Sequence, residues 1–133
     1  DGINFSDGTV YVCLNPASYA DDTANNYTNI GTKIQNNGYI SAIGVAAAMP
    51  WAFYPTAVGG SETTYIPDYA YYYSGWRVLH VGGNWNNGGN AGLFYFNANN
   101  SSSDTNSNVG ARLLVFLLTG AGFPSPLGEN IAA

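Results

Sequence analysis

Few side chains in this chain could do chemistry. His80 is the only histidine, Cys13 the only cysteine, and Lys33, Arg77 and Arg112 the only cations. A single histidine within an apolar run, with no serine and carboxylate set that the sequence brings to it, does not assemble a nucleophile, base and orienting acid. A packed or surface histidine is the expectation, and no enzyme. One cysteine excludes an internal disulfide and any thiolate metal cage. Asp21 and Asp22 are paired carboxylates, hard oxygen donors that could form the corner of a calcium site, but such a pair more often opens a turn or caps a helix. No metal and no cofactor are expected. Arg77 and Arg112 are isolated cations in apolar runs. Each would need a carboxylate or carbonyl partner if buried, with Asp68 and Glu62 the candidates.

What the chain has in abundance is asparagine around aromatic residues. From Asn84 to Asn108, nine of 25 residues are asparagine. Turn chemistry explains a few of them: Asn tolerates left-handed backbone and hydrogen-bonds its own main chain, so Asn86-Asn87-Gly88 reads as a tight turn. It does not explain nine. One alternative is a set of polar loops with no ligand. The other is a binding face of short, adaptable hydrogen-bonding side chains among aromatics, the composition of antibody paratopes. On that reading Trp85, Phe94, Tyr95 and Phe96 supply contact area, while Asn and Ser supply polar contacts.

Such a face needs elements to hold it. "GTVYVCL", Gly8 to Leu14, reads as a strand closed by a turn at Asn15-Pro16. Tyr27, Ile30 and Ile34 fall at helical spacing, with Asn25 or Asn26 as cap and Gly38 as stop, which slightly favours a helix despite Gly31 and Thr32. Ile40 to Pro55 is small and apolar and is broken by Pro50 and Pro55, so buried irregular chain is expected there. Thr56 to Gly75 is turn-rich and carries Tyr65, Tyr69, Tyr71, Tyr72 and Tyr73, which read as a core wall and subunit interface or as a rim of the binding face. Strand signals then become dense at Trp76–Val81, Ala91–Phe96 and Ala111–Leu118, all free of proline. Between them lie two connections, Gly82 to Asn90 and Asn97 to Asn108. Val78, Leu79, Val81, Leu113, Val115 and Phe116 are the expected apolar framework. The tail beyond Gly120 is expected to hug the surface or reach a neighbouring subunit.

Composition narrows the partners. At 133 residues the chain is read as one domain, 1–133, with a single core. Charged residues make up 8% and the net charge is −5, so solubility rests on Asn, Ser, Thr, Gly and Tyr hydroxyls. A phosphate backbone needs clustered cations, which makes nucleic acid a poor partner. The longest apolar run, Leu113 to Leu118, is far short of the roughly 18 residues of a membrane span, so no membrane insertion is expected. A first residue of Asp1 suggests processing or a longer polypeptide with an upstream module.

The stretch Gly75 to Leu114 resembles the variable region of proteins diversified by retroelements in bacteriophages and bacteria. More distantly it resembles the end of formylglycine-generating-enzyme-like domains. The framing residues are "RVL" at Arg77–Leu79, "GGNW" at Gly82–Trp85, "AGLF" at Ala91–Phe94 and "GARLL" at Gly110–Leu114. The upstream "AMPWAFYP", "AVGGSETTYIPDY" and "NIGTKIQNNGYISA" also look like phage-encoded members. The resemblance implies a C-type lectin fold, and hence an α+β domain with a small antiparallel sheet and long irregular loops. It also implies error-prone copying at template adenines. Asparagine codons begin with two adenines and end in a pyrimidine, so altering those two letters reaches most residue types and never a stop. Asn84, Asn86, Asn87, Asn90, Tyr95, Asn97, Asn99, Asn100, Asp104, Asn106 and Asn108 are then variable ligand-binding positions within a segment of about 80–108. Trp85, Gly82, Gly83, Gly92 and Arg112 are fixed scaffold.

The sugar-binding triplets of calcium-dependent lectins are missing, with only Trp85-Asn86-Asn87 half matching one of them. The cysteine pair of formylglycine-generating enzymes is missing too. Expected, therefore, is a receptor-binding protein at a phage tail tip, tail fibre or other virion surface. It would recognise a host cell-surface protein or glycan, contact other virion proteins, and associate with itself, as a trimer by analogy. A diversified bacterial surface adhesin and a ligand-free structural virion protein are the alternatives.

Overall fold

The computed structural model describes residues 2–32, 34–47 and 49–110. The chain begins with a hairpin of β1 (Ile3–Ser6) and β2 (Thr9–Val12), in which Ser6 faces Thr9 across Asp7 and Gly8. Asp7 and Gly8 have φ of 48° and 82°, the left-handed geometry that a two-residue hairpin turn matching strand twist requires. Alternation along both strands turns Phe5, Val10 and Val12 inward. β2 continues into a turn at Pro16–Ser18, where the Asn15 side chain accepts from the Ala17 amide at 3.1 Å. β3 (Thr28–Thr32) then lies antiparallel to β2.

A long hairpin follows, β4 (Gly38–Ala46) against β5 (Met49–Val58), and then β6 (Tyr69–Tyr72), β7 (Trp76–Val81) and β8 (Phe96–Asn100). All eight join one sheet in the order β3-β2-β1-β7-β8-β6-β4-β5. Neighbours are antiparallel except β6 and β8, which run parallel with Ala70 opposite Phe96. The sheet curls into a nearly closed, barrel-like form. Its interior holds Phe5, Val10, Val12, Ile34, Ile40, Met49 and Phe96, with Ala70 and Ala98 fully buried among them. Phe5 sits at the centre, edge-on to Tyr72 at 6.1 Å and to Phe96 at 6.0 Å.

This architecture corrects the expected α+β, C-type-lectin-like domain with a small sheet. Among the described residues strand accounts for 43% and helix for 6%, with no helix of seven or more residues. Three local misreadings lie behind the error. The helical spacing of Tyr27, Ile30 and Ile34 belongs to β3 and the residue run after it. Gly31 there takes φ 103°, which a helix forbids, and the free edge of β2 offers pairing to a Thr-rich segment. Ile40 to Pro55 is not irregular but a strand pair. Its prolines sit on β5, at the end of the strand order, where a missing N–H can face outward.

The third misreading matters most for the site. The strand expected over Ala91–Phe96 begins only at Phe96 and runs into the asparagines. The chain turns just before it. Tyr95 N–H bonds the Gly92 carbonyl at 3.2 Å, and the buried Asp68 carboxylate accepts the Phe94 N–H at 2.7 Å. β6, by contrast, lies within the tyrosine run read as turn-rich. The strand expected over Ala111–Leu118, together with Leu113, Val115, Phe116, Arg112 and the tail, lies outside the described residues. Of the expected framework on β7, Val78 and Leu79 are half-buried, but Val81 is 71% exposed.

Candidate ligand-binding face

The first connection leaves β7 through Gly82 and Gly83, with φ of 81° and 93°. A Cβ on Gly83 would collide with that of Ala91, so this position accepts only glycine. Asn84 to Ala91 then winds through successive short turns: Asn87 N–H to the Asn84 carbonyl and Asn90 N–H to the Asn87 carbonyl, each at 3.1 Å. The Asn87 side-chain oxygen takes the Asn84 N–H. Asn90 anchors the loop from below. Its side-chain oxygen accepts from the Tyr39 hydroxyl at 3.1 Å, and its amide donates to the Tyr71 hydroxyl at 3.3 Å.

The second connection follows β8. Asp104 accepts the Ser101 N–H at 2.8 Å, closing a turn, and that amide holds the exposed Asp104 carboxyl below its ordinary pKa range. Farther on, the Asn108 amide donates to the Asn86 side-chain oxygen at 3.2 Å, linking the two connections. Between them lies a depression of about 370 Å³ lined by Asn84, Asn86, Asn87, Asn99, Asn100, Asn106 and Asn108, with Tyr71 and Val109. Seven of the positions singled out in the sequence thus come together on one surface.

Four do not. Asn90 serves as the brace just described, and Asp104 lies in its own turn, exposed. Tyr95 and Asn97 were expected to face a ligand, but they are 1% and 4% exposed. The Asn97 amide donates to the Tyr95 hydroxyl at 2.9 Å, and its oxygen accepts the Asn99 N–H at 3.0 Å. β8 is an interior strand covered on both faces: Phe96, Asn97 and Ala98 are all buried where it lies between β7 and β6, and only from Asn99 does the chain emerge. Burial pushes the Tyr95 pKa up, partly offset by the bond from Asn97. Tyr95 ends a series of tilted and edge-on ring contacts with Tyr71, Tyr69 and Tyr39, whose ring centroids are 5.8, 4.6 and 5.0 Å apart in turn. The tyrosines of β6 are therefore a wall beneath the face, while Tyr65 and Tyr73 are exposed.

Beside the depression, and sharing Asn84, Asn108 and Val109 with it, opens a larger apolar cavity of about 910 Å³. Val10, Ile30, Phe53, Leu79 and Trp85 are among its walls. Trp85 is 78% exposed, so of the aromatics expected to contact a ligand it is the one that can; Phe94 is half-buried and Phe96 buried. No sequence signal marked this cavity, because its walls come from six separate strands. His80 lines it as well, with an Nδ1 that is enclosed and has no hydrogen-bond partner among the described residues. No group of three potential metal-binding side chains occurs among the described residues.

No protein-family model matches the chain, and neither does any curated protein or solved structure. Arg77 does not pair with Asp68 or Glu62: its guanidinium donates twice to the Ser74 carbonyl, at 2.9 and 2.7 Å, and stacks over Tyr73 at 4.6 Å. Asp68 instead bonds Phe94 and packs against Gly92, where any Cβ would strike the carboxylate. Gly83 and Gly92 are thus framework positions by sterics, whereas Gly82 takes its place through φ alone, with open space around it.

Proposed function

We propose that this chain is a recognition protein, and that its ligand face is the asparagine-lined depression between the connections that follow β7 and β8. The observation that carries this is the convergence of seven asparagines from two separate segments on one surface, above a floor of paired strands and packed tyrosine rings. Polar loops that merely kept the chain soluble would have no reason to converge. Among those seven, Asn86, Asn99 and Asn106 are exposed, and exchanging exposed side chains ordinarily changes stability by less than about 0.5 kcal/mol. The floor can therefore persist while the face changes.

The likeness of Gly75 to Leu114 to retroelement-diversified proteins supports the same reading and supplies the setting: a receptor-binding protein on a phage tail tip or virion surface, or a bacterial surface adhesin, that contacts host cell-surface molecules. Repeated copies would add avidity, and the exposed Phe53, Val81 and Leu93 give such copies apolar surface to share. The test is attachment. A variant with Asn86, Asn99 and Asn106 all changed to alanine keeps its melting temperature and loses adhesion to bacteria from the source community. Adhesion undiminished in that variant removes the proposal. Sequencing the gene across a population adds a test of diversification: substitutions spread evenly over all codons, rather than gathered at adenines of the asparagine codons, count against it.

A further inference from the structure

Building on the recognition reading, we propose that the ligand of this variant is an uncharged saccharide, seated on the asparagine amides with one ring face against Trp85. Three observations converge on this. First, among the described residues the lining of the depression carries no carboxylate and no cation: it is seven amides, one tyrosine hydroxyl and one valine. A charged ligand would lose its hydration with nothing of opposite sign to replace it. Second, the side-chain amides of Asn84, Asn99 and Asn106 make no hydrogen bond within the protein among the described residues, so each presents both a donor and an acceptor outward. A sugar hydroxyl is likewise donor and acceptor at once, and neighbouring hydroxyls on a ring repeat that pair at close spacing.

Third, Trp85 is 78% exposed and lines the apolar cavity, and in the chain it lies between Asn84, which the cavity shares with the depression, and Asn86, which lines the depression. A pyranose ring has polar edges and an apolar C–H face. It can therefore bond the amides through its rim while covering an indole, which a wholly polar or wholly apolar molecule cannot do. The volume of about 370 Å³ falls at the lower end of small-ligand sites, in keeping with a short saccharide. A protein ligand would instead be expected to find an apolar anchor pocket at the centre of the face. Here the centre is amide, and the apolar cavity lies to one side.

The experiment uses the full chain on an array of immobilised oligosaccharides, neutral ones beside sialylated and sulfated ones, with bacterial envelope proteins spotted on the same surface. Expected is saturable binding to one or more neutral saccharides, competed by the same saccharide free in solution. Trp85→Ala weakens it at least tenfold. The Asn99→Ala, Asn106→Ala pair weakens it about 4- to 100-fold, each neutral hydrogen bond being worth a factor of roughly 2 to 10. Melting temperatures stay unchanged in both. Binding confined to charged saccharides, or confined to envelope proteins and abolished by protease, overturns the saccharide assignment and leaves recognition standing. Binding to nothing on the array, by a chain that also fails to adhere to whole cells, overturns both.

Discussion

Replacing Asn97 and Asn99 with alanine, one at a time, separates the framework from the face within three residues of chain. Asn97 is 4% exposed and makes two hydrogen bonds, its amide to the Tyr95 hydroxyl at 2.9 Å and its oxygen from the Asn99 N–H at 3.0 Å. Asn97→Ala removes both, leaving the Tyr95 oxygen with only its contact to Asn87 and the Asn99 N–H without its partner. A net hydrogen bond contributes about 0.5–1.5 kcal/mol, and a buried group left unsatisfied costs about 1–3 kcal/mol. The Asn99 amide is only partly covered, so water recovers some of the loss there. A destabilisation of about 2–3 kcal/mol results, a large fraction of a total of roughly 5–15 kcal/mol. For a domain of this size it lowers Tm by roughly 6–15 °C. Asn99→Ala, on an exposed side chain with no internal bond, changes stability by less than about 0.5 kcal/mol. Urea unfolding followed by tryptophan fluorescence gives both midpoints. Equal midpoints for the two variants, or a greater loss for Asn99→Ala, would refute the assignment of Asn97 to the interior and Asn99 to the face.

Gly92→Ala drives a methyl group into the Asp68 carboxylate and disrupts its bond to the Phe94 N–H, so thermal melting falls by several degrees, whereas Gly82→Ala meets no neighbour and loses only the cost of its φ of 81°. Stability also falls in alkali. Burial raises the Tyr95 pKa above its ordinary value of 10.0, so the folded chain holds that proton more tightly than the unfolded chain does. The contribution is complete below about pH 10 and is lost as pH rises through the raised value. Urea midpoints measured from pH 8 to 11 should therefore drop at the alkaline end, and less so in Tyr95→Phe, which has no phenolic proton to lose.

The sequence marked the asparagine-rich connections more clearly than the fold. Asparagine clustering between strands marked the two connections, and β2 and β7 were legible from their β-branched and aromatic runs. Hidden from it was everything decided by pairing. β3 forms because β2 has a free edge, β5 tolerates Pro50 and Pro55 because it is the last strand of the sheet, and β6 finds its place between β8 and β4. Composition carries no record of those neighbours. The same blindness misplaced Tyr95 and Asn97. Asparagine in a loop and asparagine in a covered strand look alike in sequence, and only the turn that Asp68 imposes at Phe94 decides where β8 begins. One signal went unread: Asp7-Gly8 between two apolar runs is a strong hairpin mark, and it would have located β1.

The central claim is that the face can change while the floor holds. A saturation library over residues 84–108, displayed on cells and sorted separately for protease resistance and for attachment to bacteria, measures both at once. The account predicts that Asn86, Asn99 and Asn106 accept nearly every residue type in the protease-resistant pool but few in the attached pool, while Gly83, Gly92, Tyr95 and Asn97 are restricted in both. Protease resistance as restrictive at the three exposed asparagines as at Tyr95 and Asn97 would contradict it.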